Sequence, residues 1–314
     1  MDPLKISLPY QRVLISGGGG YLGSKLAEHL AATQAEVYLL DLHFNEIATN
    51  LAAENSAIKL IQTDLTDKKQ LEKACHQLNP ELIFHFAAAI DRSRDFGIYE
   101  KLSNINVMGT LNLLEVVKDV PYKGFFFAGT SEIYGVKNPL PFHEEMLTEA
   151  ASPYSLTKLQ AEALIQTYSA IHNKPWTIFR IFNFYGPGMP ENTFIPQLMK
   201  ACITQQAFHM SMGAQKRDYL HVNEVVSCIT SLAANEKSNK EIINICSGNS
   251  YSMQEIASYY QKLSENKLTI INDLPYRDNE LWDNTGSNKK MLAIIPDFSP
   301  LSLFDGLMNP YEKQ

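Results

Sequence analysis

The sequence predicts an α/β protein: a doubly wound parallel sheet covered by helices on both faces, followed by a smaller lobe. Three observations carry this. Short β-branched or aromatic runs alternate with helical patterns over the first 130 residues, at the spacing of β-α-β units. Several of these runs are apolar on consecutive residues, as in Val13-Leu14-Ile15, Val37-Tyr38-Leu39-Leu40 and Phe125-Phe126-Phe127, which suits strands buried on both faces. After Asn183 the texture changes, and Gly186, Pro187, Gly188, Pro190 and Pro196 break the chain.

Taken in order, six strands are expected at 13–16, 36–40, 58–62, 82–86, 124–128 and 176–181, with helices between them. The first helix carries Leu26, Ala27 and Leu30. Two later helices, 98–118 and 154–172, carry Leu102, Val107, Leu111, Leu114, Leu159, Ala163 and Ile165, more than one sheet-facing stripe needs. Ser152 is placed to cap the second of these, with Pro153 at its first helical position. The division falls into a first domain at 1–183 and a lobe at 184–314, without a clean linker. In that lobe helices are expected at 193–205, 223–235 and 252–263, with a short strand at 242–245. Internal repeats and low-complexity tracts are absent from the sequence.

Composition narrows the function. Of the 314 residues, 45% are hydrophobic and 19% charged, enough to build and cover a large core. The longest apolar runs, 125–128 and 86–90, are far shorter than the roughly 20 residues a bilayer requires, so no membrane partner is expected. No apolar stretch precedes Arg12, so neither a signal nor a transit peptide is expected and the cytoplasm is the expected compartment. A net charge of −7 argues against a nucleic-acid partner, and an anionic ligand would need a local site. Cys75, Cys202, Cys228 and Cys246 lie far apart with no C-x-x-C pairing, so neither a metal site nor a disulfide framework is expected.

The residues that carry chemistry follow strands. Ser16-Gly17-Gly18-Gly19-Gly20-Tyr21-Leu22-Gly23 leaves the first strand and opens the first helix, with Gly17, Gly20 and Gly23 at the fixed places of a G-x-x-G-x-x-G loop. Those places serve the tight turn, the close approach of a pyrophosphate to the backbone, and helix–sheet packing. Asp41 ends the second strand, 18 residues after Gly23, where a carboxylate accepts from both hydroxyls of an adenosine ribose and repels a 2′-phosphate. With Leu42 and His43 following and no arginine beside it, NAD is favoured over NADP; the alternative is an aspartate that merely ends a strand. Asp64 and Leu65 end the third strand, placed to meet the adenine, although the 64–67 segment reads equally as a helix cap. Tyr154 and Lys158 stand at i and i+4 on one helix face. A lysine ammonium near a tyrosine favours phenolate, which makes the tyrosine a usable base near neutral pH, and it can also hold a nicotinamide ribose.

With Ala128-Gly129-Thr130-Ser131-Glu132-Ile133-Tyr134-Gly135 after the Phe-rich fifth strand, the sequence resembles the extended short-chain dehydrogenase/reductases, specifically the NAD-dependent nucleotide-sugar epimerase/dehydratase family. The likeness runs over nearly the whole chain. It includes the glycine loop, Asp41, Asp64, His85-Phe86-Ala87-Ala88, Asn106-Val107-Met108-Gly109-Thr110, Tyr154 to Lys158, Arg180 to Pro187 and Arg217-Asp218-Tyr219-Leu220-His221-Val222. The resemblance implies a Rossmann-type NAD-binding domain and a C-terminal substrate-binding lobe. It implies Tyr154 as catalytic base, Lys158 as its ribose-holding partner, and Thr130 as the hydroxyl that shares the proton of the sugar's 4-hydroxyl. Tyr21, Leu22, Leu65, Ala87, Ala88 and Asn106 fall with the cofactor, and Ser131, Asn183 and Arg217 with a nucleotide-diphosphate sugar. Asn183 matches the diphosphate position, and Arg217 the arginine that neutralises the phosphate near the nucleoside, for which a planar two-donor fork is suited. Phe194-Ile195-Pro196 resembles a lid over the base. The mundane alternative for Lys216 to Tyr219 is a charged turn, and Arg277 reads either as a second phosphate clamp or as surface. A homodimer pairing helices 98–118 and 154–172 across a two-fold axis is also implied.

The reaction so implied is hydride transfer at carbon 4 through a transient 4-keto sugar. Glu132 decides among outcomes. Thr130-Ser131-Glu132 resembles 4,6-dehydratases, where the glutamate removes the carbon 5 proton, and UDP-glucuronate decarboxylases; the alternative is a glutamate that only binds a sugar hydroxyl or steadies the loop. A chain of 314 residues, with Gly186-Pro187-Gly188 and Asn244 to Gly248, looks more like compact epimerases and 4-keto-6-deoxy-sugar reductases. A non-catalytic dinucleotide sensor is the remote alternative, since sensors of this fold usually lack the tyrosine and lysine.

Overall fold

The computed structural model describes residues 10–307 except 77, 92, 266, 278 and 279. Its first half alternates strand and helix. The elements are β1 (Arg12–Ser16), α1 (Tyr21–Leu30), β2 (Glu36–Asp41), α2 (Glu46–Glu54), β3 (Ile58–Gln62), α3 (Lys68–Cys75), β4 (Leu82–His85), α4 (Tyr99–Ser103), α5 (Gly109–Val116), β5 (Gly124–Thr130), α6 (Pro153–His172) and β6 (Thr177–Ile181). Every strand expected from the sequence is present, within two residues at each end. The expected helix 98–118 is interrupted by a π turn at Asn104–Met108, which rotates Asn106 into the protein interior. Ser152 caps α6 as expected: its Oγ accepts from Ser155 N at 3.0 Å while Ser155 Oγ accepts from Ser152 N at 3.0 Å, with Pro153 at the first turn.

The second half contains β7 (Asn183–Tyr185), α7 (Phe194–Thr204), β8 (Phe208–Met210), β9 (Lys216–His221), α8 (Val222–Ala233), β10 (Glu241–Ile245), β11 (Ser250–Ser252), α9 (Met253–Leu263), β12 (Ile270–Asn272), β13 (Asp283–Asn284), α10 (Lys289–Ile294) and α11 (Leu303–Gly306). Here the topology corrects the sequence reading. The strand expected at 242–245 in the second lobe is β10, and it pairs in parallel with β6 as the seventh strand of the first sheet. The helix expected at 223–235 is α8, and its Val225, Val226, Ile229 and Leu232 share one core with Leu26, Ala27 and Leu30 of α1. Both return to the first domain because Ile243 and Ile245 are fully apolar partners for Phe179 and Ile181, and burying each such side chain contributes about 1.5–3 kcal/mol.

The sheet runs β10-β6-β5-β4-β1-β2-β3, all parallel. Strand order reverses between β1 and β4, and a doubly wound sheet binds ligands in the crevice beyond its carboxyl ends at such a point. One core lies on each face, around Val13, Leu26 and Phe126 on one side and Leu14, Phe125 and Ile165 on the other. The smaller lobe has its own core around Leu198, Cys202, Ile256 and Tyr260. All four cysteines are buried thiols outside any disulfide. Among the described residues no helix is long and apolar enough to cross a membrane.

Candidate active site

A cleft of about 900 Å³ runs across the carboxyl ends of the strands, from Asp41 at one end to Arg217 in the smaller lobe. Its floor is the glycine loop. Gly17 has φ +78°, and a Cβ there would lie 2.4 Å from Ala87 N; a Cβ on Gly23 would lie 2.1 Å from Gly17 O. Both clashes are with backbone, so neither place tolerates a side chain without moving the loop. Gly20 differs, since a Cβ there would meet only Gly17 O at 3.3 Å, and its outer face is open to the cleft. Gly20 is also the N-cap of α1 and provides no side-chain acceptor, so the first amides of the helix, at Tyr21 and Leu22, meet the cleft uncapped. An uncapped ten-residue helix behind a glycine cradle fits the pyrophosphate of a dinucleotide.

Asp41 is held by the backbone it would need to stay ready for a ribose. Its Oδ2 accepts from Gly19 N at 3.0 Å, and Oδ1 from Leu42 N at 2.8 Å and His43 N at 3.4 Å. Asp64 Oδ1 accepts from Thr66 N and Oγ1, both at 2.8 Å, and the cap of α3 is Asp67 instead, accepting from Gln70 N at 3.0 Å. The capping alternative for Asp64 is therefore removed. Asp64 and Leu65 line the cleft beside Ala87 and Ala88. Asn106 does not line it. Buried in the π turn, its Oδ1 accepts from Ala89 N at 2.8 Å, and its Nδ2 donates to Ala89 O at 3.0 Å and Thr157 Oγ1 at 2.9 Å. It ties the wall of the cleft to α6, a place from which it supports the cofactor region without lining the cleft. A ribose-accepting role for Asp41 predicts that Asp41→Ala narrows an NAD-over-NADP preference by about 10-fold or more without unfolding the protein, and fluorescence titration of both cofactors checks this.

Beneath the loop lies a buried chain. His85 Nδ1 accepts from Ser16 Oγ at 2.6 Å, and Nε2 donates to Thr110 Oγ1 at 2.8 Å, because the Thr110 hydroxyl is committed to Asn106 O at 2.6 Å. Burial, reinforced by the charge on Lys158, pushes His85 down to about 3, so it is neutral and its tautomer is fixed by its neighbours.

At the centre of the cleft, β5 ends in Thr130, whose Oγ1 accepts from Glu132 N at 3.3 Å. Tyr154 and Lys158 reach the cleft from the first turns of α6. Lys158 is 2% exposed, with Nζ 4.0 Å from the centre of the Phe127 ring. Burial pulls its ammonium down to about 7, against the opposing pull of Glu162. Glu132 lines the same wall, and its Oε2 accepts from Ser152 Oγ at 3.4 Å.

The smaller lobe closes the far end. Asn183 on β7 donates from Nδ2 to Asp218 O at 3.4 Å. Asp218 is fully buried under four donors, from Ser247 N and Oγ, Gly248 N and Gly286 N, yet burial still raises its carboxyl to about 6. Arg217 lies in strand β9, which removes the charged-turn alternative. Its Nη1 donates to Lys216 O at 2.8 Å and Leu281 O at 2.6 Å, and Nη2 to Glu280 Oε1 at 2.5 Å. Phe194 and the exposed Arg277 line the cleft, whereas Ile195 packs into the lobe's core.

Two residues of the site escape sequence reasoning. Glu280 pairs with Arg217 from a segment with no motif. Asn284, on the two-residue β13, lines the cleft and donates from Nδ2 to Ser131 Oγ at 3.1 Å, while its buried Oδ1 has no partner among the described residues. An orphaned buried acceptor beside Ser131 suits a ligand hydroxyl or amide. Nothing local in the sequence marks it.

The profile of the NAD dependent epimerase/dehydratase family matches residues 13–246. The UDP-glucose 4-epimerase of Mycoplasma pneumoniae is 28% identical over 277 residues, 80% of this chain and 81% of that one. The UDP-N-acetyl-alpha-D-glucosaminuronate decarboxylase of Bacillus cytotoxicus is 31% identical over 271 residues, 83% of each chain. Among solved structures, the UDP-glucuronic acid 4-epimerase of Bacillus cereus, in complex with UDP-glucuronic acid and NAD, superposes with a TM-score of 0.84 at 25% identity, covering 96% of this chain and 98% of that one.

Proposed function

The chain belongs to the NAD-dependent epimerase/dehydratase family, and we propose that its reaction is redox at carbon 4 of a nucleotide-diphosphate sugar, passing through a transient 4-keto sugar. The observation that carries this reading is one continuous cleft with the glycine loop and Asp41 at one end, Thr130, Tyr154 and Lys158 in the middle, and Asn183 and Arg217 at the other. NAD, which the glycine loop and Asp41 would hold, would supply the hydride acceptor and donor. The chain's own residues do the rest. Tyr154 takes the proton of the 4-hydroxyl, Thr130 shares that proton, and Lys158 supports the phenolate and holds the nicotinamide ribose. Asn183 and Arg217 bind the diphosphate, with Arg217 turning part of its fork from Glu280 to the phosphate. The lobe that supplies Arg217, Glu280 and Asn284 is the substrate-binding part of the molecule. Most of the relatives compared are named for UDP sugars, which supports a uridine nucleotide, while a GDP-6-deoxy-D-mannose reductase of Pseudomonas aeruginosa and a dTDP-D-glucose 4,6-dehydratase of Dictyostelium discoideum, 26 and 28% identical, make guanosine and thymidine the alternatives. Incubating the protein with a panel of nucleotide sugars, with and without NAD or NADH, and identifying the products by mass tests the reading; no product from any UDP sugar would overturn the uridine assignment.

Glu132 keeps a second outcome open. It stands on the same wall as Thr130 and Tyr154, with Ser152 orienting Oε2, which suits a base at carbon 5 as in a dehydratase. A base role predicts that Glu132→Gln abolishes solvent-proton exchange at carbon 5 while hydride removal at carbon 4 survives. Mass spectrometry in deuterated water reads this, and absence of exchange in the unmodified enzyme leaves Glu132 as a binding residue of an epimerase or reductase.

We also propose a cytoplasmic homodimer built on α4, α5 and α6. Of the apolar residues named for this face, Leu102, Leu114 and Ile165 belong to the subunit's own core, because each helix buries one stripe on the sheet. Val107, Leu111, Leu159 and Ala163 keep some exposure and are joined by the exposed Phe96 and Met108. Sedimentation at micromolar concentration is expected to show a dimer, and a monomer alone would remove the proposal.

A further inference from the structure

We propose that Glu162 is a positioning residue for the reaction, holding Lys158 as a cation aimed into the cleft, while Arg180 holds Glu162. The inference rests on the reading of Lys158 as partner of Tyr154. Helix α6 places Tyr154, Lys158 and Glu162 at four-residue intervals, so the three stand one above another on a single face, with exposures of 8, 2 and 1%. Strand β5 makes room for the carboxylate. A Cβ on Gly129, the residue before Thr130, would lie 2.8 Å from Glu162 Oε1, so only a glycine there admits the acid beneath the lysine.

From β6, Arg180 donates through Nη2 to Glu162 Oε2 at 2.9 Å and through Nε to the two oxygens at 3.4 and 3.3 Å. Its Nη1 donates to Tyr134 Oη at 3.1 Å, and the Tyr134 hydroxyl donates to Asn244 Oδ1 on β10 at 2.6 Å. The carboxylate is thus held by Arg180 of β6, which Tyr134 and, through it, Asn244 of β10 keep in place, and at 1% exposure Glu162 is shielded from water. Burial holds the Glu162 carboxyl above its ordinary range on balance, and Arg180 first and Lys158 after it oppose that rise.

The groups facing Lys158 decide its charge. Phe127 of β5 lies beneath the ammonium, His85 of β4 is neutral, Tyr154 precedes it by one turn, and Glu162 follows by one. An ammonium buried in a medium of low dielectric loses its proton unless a negative charge is close by, and Glu162 is the carboxylate whose field opposes burial there. A lysine that lost its charge would no longer favour the phenolate of Tyr154. The ion pair with Arg180 therefore has a role beyond architecture, although the pair alone would be satisfied without facing the lysine.

The test reads the lysine directly in the cofactor-free full-length protein. Lysine labelled with carbon-13 at Cε is titrated by NMR, and the Lys158 signal is the one missing from Lys158→Met. In Glu162→Gln the titration midpoint of Lys158 is expected to fall by about one pH unit or more, while Glu162→Asp, which keeps the charge, returns most of the shift. If Glu162→Gln does not fold, Glu162→Gln with Arg180→Met removes both charges together and is expected to lower the midpoint in the same direction. An unchanged midpoint in either folded variant overturns the proposal and leaves Glu162 as a purely architectural partner of Arg180. Because no substrate enters this measurement, its failure is distinct from failure of the catalytic reading, which turnover of Tyr154→Phe tests separately.

Discussion

Tyr154→Phe is expected to lower turnover on the true substrate by about 100-fold or more while leaving NAD affinity within about threefold of the parent. The side chain is 8% exposed at the first turn of a capped helix, and phenylalanine fills the same space, so the fold and the cofactor cleft are preserved. On the proposed mechanism, what is lost is the group that takes the proton from the sugar hydroxyl as hydride departs. A loss of 100-fold corresponds to about 2.7 kcal/mol of transition-state stabilisation. Stopped or steady-state assay of the variant, beside calorimetric titration of NAD, separates the two effects. Near-full turnover would remove Tyr154 from the mechanism.

Arg180→Met is expected to destabilise the protein by about 3–5 kcal/mol, the range for removing one partner of a buried ion pair. Arg180 and Glu162 are 4 and 1% exposed, so the carboxylate left behind has no access to water and must either protonate or remain unpaired. The loss extends to Tyr134, whose hydroxyl accepts from Arg180, and to Glu144 O, which accepts from the same guanidinium. Removing both charges in Glu162→Gln with Arg180→Met is expected to recover more than half of the loss, because the desolvation penalty disappears with the charge. Urea unfolding followed by circular dichroism measures both. Equal loss in the single and double variants would show that packing of the arginine stem, not charge, dominates.

The legible part of the molecule is local along the chain. Gly17, Gly20 and Gly23 show their role by spacing because the turn, the phosphate approach and the helix contact all fall within seven residues. Tyr154 and Lys158 are readable for the same reason, since four residues make one helical turn, and Ser152-Pro153 marks where that helix starts. Asn106 is legible as a support of the cofactor region, but the contacts through which it acts are not. Its contact with Ala89 arises from the π turn, and a helical pattern of apolar residues does not disclose where a turn widens.

Short windows whose geometry the backbone imposes specify the parallel sheet, its glycine loop, the strand-end carboxylate of Asp41 and the Tyr-x-x-x-Lys face. The tertiary structure alone decided the rest. It returned α8 and β10 to the first sheet after an excursion through β7, α7, β8 and β9, and it brought Asn284 to Ser131 across 153 positions. It set Glu280 against Arg217 and opened a slot at Gly129 for Glu162. It also separated the helix stripe that is core from the one left exposed. These pairings depend on which surfaces meet when distant segments close on the sheet, and that closure is driven by burial, which is non-directional and leaves no spacing rule in the chain.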